Sequence, residues 1–152
     1  MNLRGRMDDG PYNIFAEAEV TVEFFHCDPM RVVWHGNYLN YFEAGRRKLL
    51  EKIGYDYEDM EKSGYAFPII EASVKYCGAL RFKDQVLVKA VLVEYENCLR
   101  IKYEIRNVKT GLVATKGITT QMAYDIKTNE SCFVCPRFLS DKVEAIIAGN
   151  KK

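Results

Sequence analysis

Both histidines of the chain flank a single acid in one short stretch, His26-Cys27-Asp28-Pro29-Met30-Arg31-Val32-Val33-Trp34-His35. Pro29 restricts Asp28 to extended or turn geometry, so the carboxylate is expected on a loop. Asn37 is a good N-cap candidate. Leu39, Phe42, Leu49 and Ile53 could form one apolar helix face, with Gly45 leaving room for close packing. Gly54 supplies a stop. The stretch reads as strand end, acid-bearing loop, histidine and helix amino end. A helix amino end presents free backbone N–H groups and positive potential. An acid beside such amides, here those of Gly36, Asn37 and Tyr38, is what acyl-transfer chemistry needs.

Each of these residues also has a plainer reading. Asp-Pro is common turn chemistry. His35 can serve as a structural histidine that pins the loop, and His26 reads as a packing residue at a strand end. Trp34 and Tyr41 read as core or interface aromatics. Glu43 lies three and four residues before Arg46 and Arg47, the spacing of a surface ion pair.

The elements that must position the acid follow from periodicity. Alternation over residues 17–25, with Val20, Val22 and Phe24 on one face, predicts a half-buried strand. A helix is expected from Asn37 to Ile53 and a short helical turn from Tyr57 to Ser63, ending at Gly64. From Phe67 the period becomes two, with Ile70, Ala72, Val74 and Tyr76 on one face. Residues 77–84 connect to a nearly continuous apolar run, Val86 to Tyr95, the pattern of a strand covered on both faces. Leu99, Ile101, Tyr103 and Ile105 alternate with charges. Lys109-Thr110-Gly111 is a hairpin turn. Val113 to Tyr124 reads as one long strand, Ser131 to Val134 as a brief return to the sheet, and Ser140 as the cap of a last helix over 141–148. The order predicts an α+β domain in which a mainly antiparallel curved sheet wraps one long helix. Residues 1–16 read as a polar, flexible leader and 17–148 as a single domain.

Composition excludes several function classes. Net charge is +1, from 22 basic and 21 acidic residues, which argues against a dominant nucleic-acid footprint. No apolar run approaches the roughly 20 residues that span a bilayer, and no apolar signal segment opens the chain, so the expected compartment is the cytoplasm. Five cysteines do not suggest a disulfide framework. Cys132 and Cys135 have CxxC spacing but no second ligand pair, and read as small hydrophobes rather than a metal site.

The run Asp28-Pro29-x-x-Val32-Val33-x-His35-x-Asn37-Tyr38-x-x-Tyr41-Phe42-Glu43 resembles the signature of hotdog-fold acyl-CoA thioesterases. The resemblance is closest to the 4-hydroxybenzoyl-CoA thioesterase and tol-pal-associated types. Phe67-Pro68-Ile69-Ile70-Glu71-Ala72-Ser73-Val74-Lys75-Tyr76 resembles that family's second strand. The resemblance implies a hotdog fold, an acyl-CoA thioester as substrate, no cofactor beyond the coenzyme A of that substrate, and a homo-oligomer, commonly a tetramer. It places the catalytic aspartate on Asp28, the loop-end histidine on His35, the aromatic pair on Tyr38 and Tyr41, and the helix glutamate on Glu43. Some hotdog thioesterases take their acid from the helix, which makes Glu43 the reserve acid. Arg31 stands where the family usually has glycine; it either acts on the acid or meets the phosphates of coenzyme A, as Arg81 and Lys83 could. Two alternatives carry the same fold: an acyl-CoA-binding module without turnover, and a dehydratase of hydroxyacyl thioesters.

Overall fold

The computed structural model describes residues 7–150. Five strands form one antiparallel sheet: β1 (Phe15–Thr21), β3 (Ile69–Tyr76), β4 (Gln85–Glu94), β5 (Leu99–Asn107) and β6 (Val113–Gln121). Their order in space is β1-β4-β5-β6-β3. Helix α1 (Asn37–Ile53) packs on one face, and the short α2 (Tyr57–Ser63) follows it. A smaller sheet joins β2 (Tyr65–Ala66), β7 (Ala123–Asp125) and β8 (Glu130–Cys132). Helix α3 (Arg137–Asn150) closes the chain. This is the α+β hotdog arrangement, a sheet around a central helix.

Close approach between α1 and the sheet depends on two glycines. Phe42 stacks on Tyr103 of β5, with ring centroids 4.5 Å apart. Tyr103 pairs with Gly117 of β6, and a Cβ at Gly117 would lie 2.3 Å from Phe42 Cε2 and 2.9 Å from the Ser73 carbonyl. Gly45 faces Val88 of β4, which a Cβ would meet at 2.8 Å. Leu49, Leu50 and Ile53 continue the buried face. Leu39, expected on that face, is 45% exposed, because the buried stripe begins instead with Tyr38 and Tyr41. Gly54 ends α1 in the left-handed conformation, φ 86°, and Gly64 ends α2 likewise, φ 87°, as expected of glycine stops.

Several boundaries differ from the sequence reading. The first helix has the expected span, Asn37–Ile53, but Gly36 and not Asn37 takes its N-cap position. β1 starts at Phe15, so the leader is shorter than 16 residues; residues 1–6 lie outside the described residues. The segment before β1 is tied down by Lys89, whose Nζ donates to the Met7 carbonyl at 2.9 Å and to Asp9 at 2.6 Å. β3 does not pair with its successor β4 but with β6, at the sheet edge. The expected strand 113–124 breaks at Met122, whose N–H donates to the Pro68 carbonyl as the chain crosses to the small sheet. β8 joins that sheet too. Ser140 is inside α3, since that helix begins at Arg137, four residues earlier than expected; its hydroxyl turns back toward the Pro136 carbonyl at 3.4 Å. All five cysteines are free thiols, and burial pushes the Cys135 thiol up to about 12.

Gly117→Ala tests the close approach directly. Overpacking against Phe42 and the Ser73 carbonyl is expected to cost about 1–3 kcal/mol, read as a lower urea midpoint. An unchanged midpoint would mean that α1 does not lie as near the sheet as described.

Candidate active site

The loop between β1 and α1 is folded back on itself by short-range hydrogen bonds. Phe24–His26 form one 3-10 turn. Cys27 and Val33 then bridge in antiparallel fashion. Within that bridge the Asp28 N–H donates to the Val32 carbonyl at 2.9 Å, and the Arg31 N–H donates to the Asp28 carbonyl at 2.9 Å. Asp28 Oδ1 accepts the Met30 N–H at 2.8 Å, the side-chain turn that Asp-Pro sequences favour. Oδ2 has no partner among the described residues. The turn reading and the chemical reading of Asp28 are therefore compatible: one oxygen orients the carboxylate and the other is free.

Asp28 opens into a groove of about 440 Å³ walled by Phe24, Phe25 and Phe82, with Arg31 at its rim. Phe24 meets Phe82 edge-on at 5.9 Å. Backbone bonds from Val33 to Leu80 and from Lys83 to Val22 fasten the 80–84 loop to the acid loop. Lys83 lies over the Phe82 ring, 5.4 Å from its centre, so it adjoins the same surface; Arg81 is exposed, and its N–H donates to Asp84 at 2.8 Å. Arg31 is exposed and forms no ion pair among the described residues.

The amino end of α1 has no side-chain cap. Asn37, which is not the N-cap, uses its side chain to donate to the His26 carbonyl at 2.8 Å. Of the three amides singled out, that of Asn37 donates to the Trp34 carbonyl at 2.9 Å, and that of Tyr38 makes a long 3.4 Å bond to the His35 carbonyl. The Gly36 N–H has no partner among the described residues. The Trp34 ring covers Gly36 so closely that a Cβ there would lie 2.2 Å from it. Tyr38 is 4% exposed. Burial, and then the neighbouring Tyr76 and Asp28, raise its phenol pKa above the ordinary value against a hydrogen bond at Leu80 that lowers it. His35 is exposed; its ring stands beside Trp34 and Tyr76, and its carbonyl accepts the Tyr76 hydroxyl at 3.3 Å.

Pinning of the loop falls to His26, which the sequence reading treats as packing. Nothing in the spacing of the histidines separates the two; the signal lies in Tyr41, fifteen residues on, whose hydroxyl is 2.9 Å from His26 Nδ1. Glu43 stands apart from Asp28. It pairs with Arg46 and accepts the Tyr57 hydroxyl. Arg46, expected at the surface, is 4% exposed and reaches Tyr57 at 3.1 Å and Tyr103 at 3.4 Å. Burial works against its charge, but Tyr103 and Tyr57 more than offset that, and its pKa is raised. This cluster adjoins a second groove of about 690 Å³, walled by Tyr57, Met60, Tyr65, Phe67, Pro68 and Tyr124. Among the described residues no three His, Cys, Asp or Glu side chains gather as a metal site requires.

The apolar groove at Asp28 is lined by residues of the acid loop and Phe82, and the same loop runs on into the uncapped amino end of α1. Residues 22–143 match the family model described as the thioesterase-like superfamily, and the chain belongs to that superfamily. It is a hotdog-fold thioesterase. It is 28% identical over 111 residues to YneP of Bacillus subtilis, provisionally named an acyl-CoA thioesterase, covering 72% of this chain and 80% of that one. It is 37% identical over 76 residues to the acyl-acyl carrier protein thioesterase ATL3 of Arabidopsis thaliana, covering 50% of this chain and 40% of that one. The crystal structure of DHNA-CoA thioesterase from Staphylococcus aureus superposes with a TM-score of 0.78 at 30% identity, covering 90% of this chain and 93% of that chain.

Arg31 adopts φ 64°. A left-handed residue at this point of the turn accounts for the glycine that the family pattern carries there. Relief of that conformation in Arg31→Gly is worth about 1–2 kcal/mol, and the greater freedom of unfolded glycine returns about 0.5–1 kcal/mol. A small net gain in stability is expected, visible as a higher melting temperature. A lower one would show that the Arg31 side chain contributes more to the folded loop than its backbone strain removes.

Proposed function

We propose that the protein hydrolyses acyl-CoA thioesters with Asp28 as the reacting acid. The observation that carries this reading is the free Oδ2 of Asp28 in an apolar groove, on a loop fastened to an uncapped helix amino end. Asp28 takes a proton from the attacking water, or attacks the thioester carbonyl itself. By the first route the water oxygen bonds to the carbonyl carbon, the carbon–sulfur bond breaks, and the proton taken by Asp28 passes to the leaving thiolate. By the second the same bond breaks to leave an acyl anhydride on Asp28, which a water then hydrolyses to the free acid, restoring the carboxylate and supplying the thiol proton. The Gly36 N–H is the principal donor to the developing oxyanion. The Tyr38 N–H joins it by exchanging its long bond to His35. One such donor is typically worth about 3–4 kcal/mol of barrier. The His35 side chain orients the thioester or the water. Arg31 lines the groove and Lys83 stands over its Phe82 wall; these two, with Arg81 on the same loop as Lys83, would meet the phosphates of coenzyme A.

A second copy of the chain completes this site. β3 is an edge strand of eight residues, and Ile69, Ile70 and Tyr76 on it are 45%, 54% and 51% exposed. Such an edge is normally paired or protected. Two-fold pairing of β3 with itself is antiparallel, so the start of one β3 faces the end of the other. Tyr76, at that end, touches His35 and Tyr38. Phe67 and Pro68, which precede the start, wall the larger groove. Pairing therefore brings the 690 Å³ groove of one copy toward the Asp28 of the other, giving the acyl chain an apolar seat. Light scattering is expected to show a dimer or a dimer of dimers, and Ala72→Pro, which removes an N–H on the open side of β3, the side opposite to that on which the Ser73 carbonyl faces Gly117 of β6, is expected to dissociate it. A stable wild-type monomer at micromolar concentration would contradict the pairing.

The mechanism is tested by Asp28→Asn. Asparagine keeps the shape and can still accept the Met30 N–H, so the loop survives. Loss of a general base costs about 10²–10⁴ in kcat, and loss of a nucleophile can cost more. His35→Ala is expected to lose less. Melting curves and a coenzyme A titration serve as controls. If Asp28→Asn retains more than about a tenth of the activity, too small a loss for a general base, the acid is elsewhere and Glu43 is the next residue to change. Thiol release is measured in parallel from acyl-CoA and from an acyl carrier protein thioester; cleavage of the latter alone would replace coenzyme A in this reading. Binding without release would favour a non-catalytic module.

A further inference from the structure

Hydrolysis at Asp28, on which this inference rests, needs the carboxylate and the Gly36 N–H held at a fixed separation. They lie on opposite arms of the loop, eight residues apart. We propose that His26 is the positioning residue that sets this separation, and that Tyr41 is its partner.

Five hydrogen bonds converge on His26, one of them from its own N–H to the Glu23 carbonyl at 3.0 Å. Its Nδ1 accepts the Glu23 N–H at 3.0 Å and lies 2.9 Å from the Tyr41 hydroxyl. Its carbonyl accepts the Trp34 N–H at 2.9 Å and the Asn37 side-chain amide at 2.8 Å. One residue thus holds the turn before the acid, the returning arm of the loop, and two successive turns of α1. Asp28 is two residues away along the chain, and Gly36 lies between Trp34 and Asn37. No other described residue of the loop bonds to both arms and to the helix.

The hydrogen-bond directions fix the state of the ring. A backbone N–H can only donate, so Nδ1 is unprotonated and the proton is on Nε2. Tyr41 is then a second donor that shares the single lone pair of Nδ1 with the Glu23 N–H. It is 3% exposed, and burial foremost, then Tyr38, Cys27 and Glu23, raises its pKa, so it remains a phenol. Packing alone would be served equally by a phenyl ring, since His26 also meets Phe25 edge-on at 4.6 Å and Tyr41 at 5.4 Å. What a phenyl ring lacks is the acceptor. His26→Phe therefore separates the two roles. His26→Asn places a carbonyl oxygen where Nδ1 stood and restores the acceptor without the ring.

The experiment compares kcat, KM and melting temperature for the wild type, His26→Phe, His26→Asn, Tyr41→Phe and the double variant His26→Phe/Tyr41→Phe on one acyl-CoA. Misplacement of reacting groups by about 1 Å can cost about 10²-fold. His26→Phe is expected to lose up to about that much in kcat with little change in KM, and His26→Asn to recover most of it. The double variant is expected to be no slower than His26→Phe, because the hydroxyl has nothing left to position. Ring 15N shifts of the wild type should show an unprotonated Nδ1 whether or not Asp28 is the acid. Wild-type kcat in His26→Phe, no recovery in His26→Asn, or a protonated Nδ1 would each overturn the proposal. If Asp28→Asn stays active while His26→Phe does not, the reading of the acid has failed, and positioning of Asp28 by His26 falls with it.

Discussion

Helix α1 can reach the sheet only because Gly117 and Gly45 leave it room. The Phe42 ring occupies the space above Gly117 that any side chain would fill and stacks on Tyr103 beside it. Once that contact is made, the helix axis is fixed against β4, β5 and β6, and its amino end emerges beside the end of β3, where Tyr76 meets His35 and Tyr38. The loop from β1 must then return to this point, and its hydrogen bonds are those that a short return allows. The position of Asp28 is in this sense a consequence of core packing.

The amino end of α1 lacks a side-chain cap. Most helices satisfy a first-turn amide with a side-chain cap. Here Gly36 occupies the cap position and offers no side chain, and the asparagine next to it is engaged in bonding His26. The Gly36 amide is left without a partner among the described residues, at the positive end of the helix dipole. Trp34 lies over Gly36, so that any side chain there meets its ring. The same substitution that would cap the helix would therefore displace an aromatic ring and close the donor.

Much of this was legible in the sequence, and the parts that were not share a cause. Local chemistry was readable: Asp-Pro as a turn, Gly54 and Gly64 as helix stops, the 109–111 hairpin, the alternation of β5. Pairings between distant segments were not. β3 looks like the first member of a meander, yet it sits on the far edge beside β6, because alternation shows a strand's faces and not its neighbours. The break at Met122 is invisible for the same reason: residues 113–124 are uniformly strand-like, and only contact with Pro68 divides them between two sheets. At the site, Asp28 and the helix amino end were apparent from residue type and spacing. The roles of the two histidines were not, since the Tyr41 bond that distinguishes His26 spans a folded loop. Arg46 reads as a surface cation in the sequence because its partners Tyr57 and Tyr103 come from α2 and β5.

The central claim is that the thioester reacts between Asp28 and the amino end of α1, and not beside Glu43. A crystal structure of the Asp28→Asn variant with an uncleaved acyl-CoA measures this directly. The expected result is a thioester carbonyl oxygen within about 3 Å of the Gly36 nitrogen, with the substituted side-chain amide beside the carbonyl carbon. A carbonyl lying against Glu43 and Arg46, with the Gly36 amide facing solvent, would contradict it.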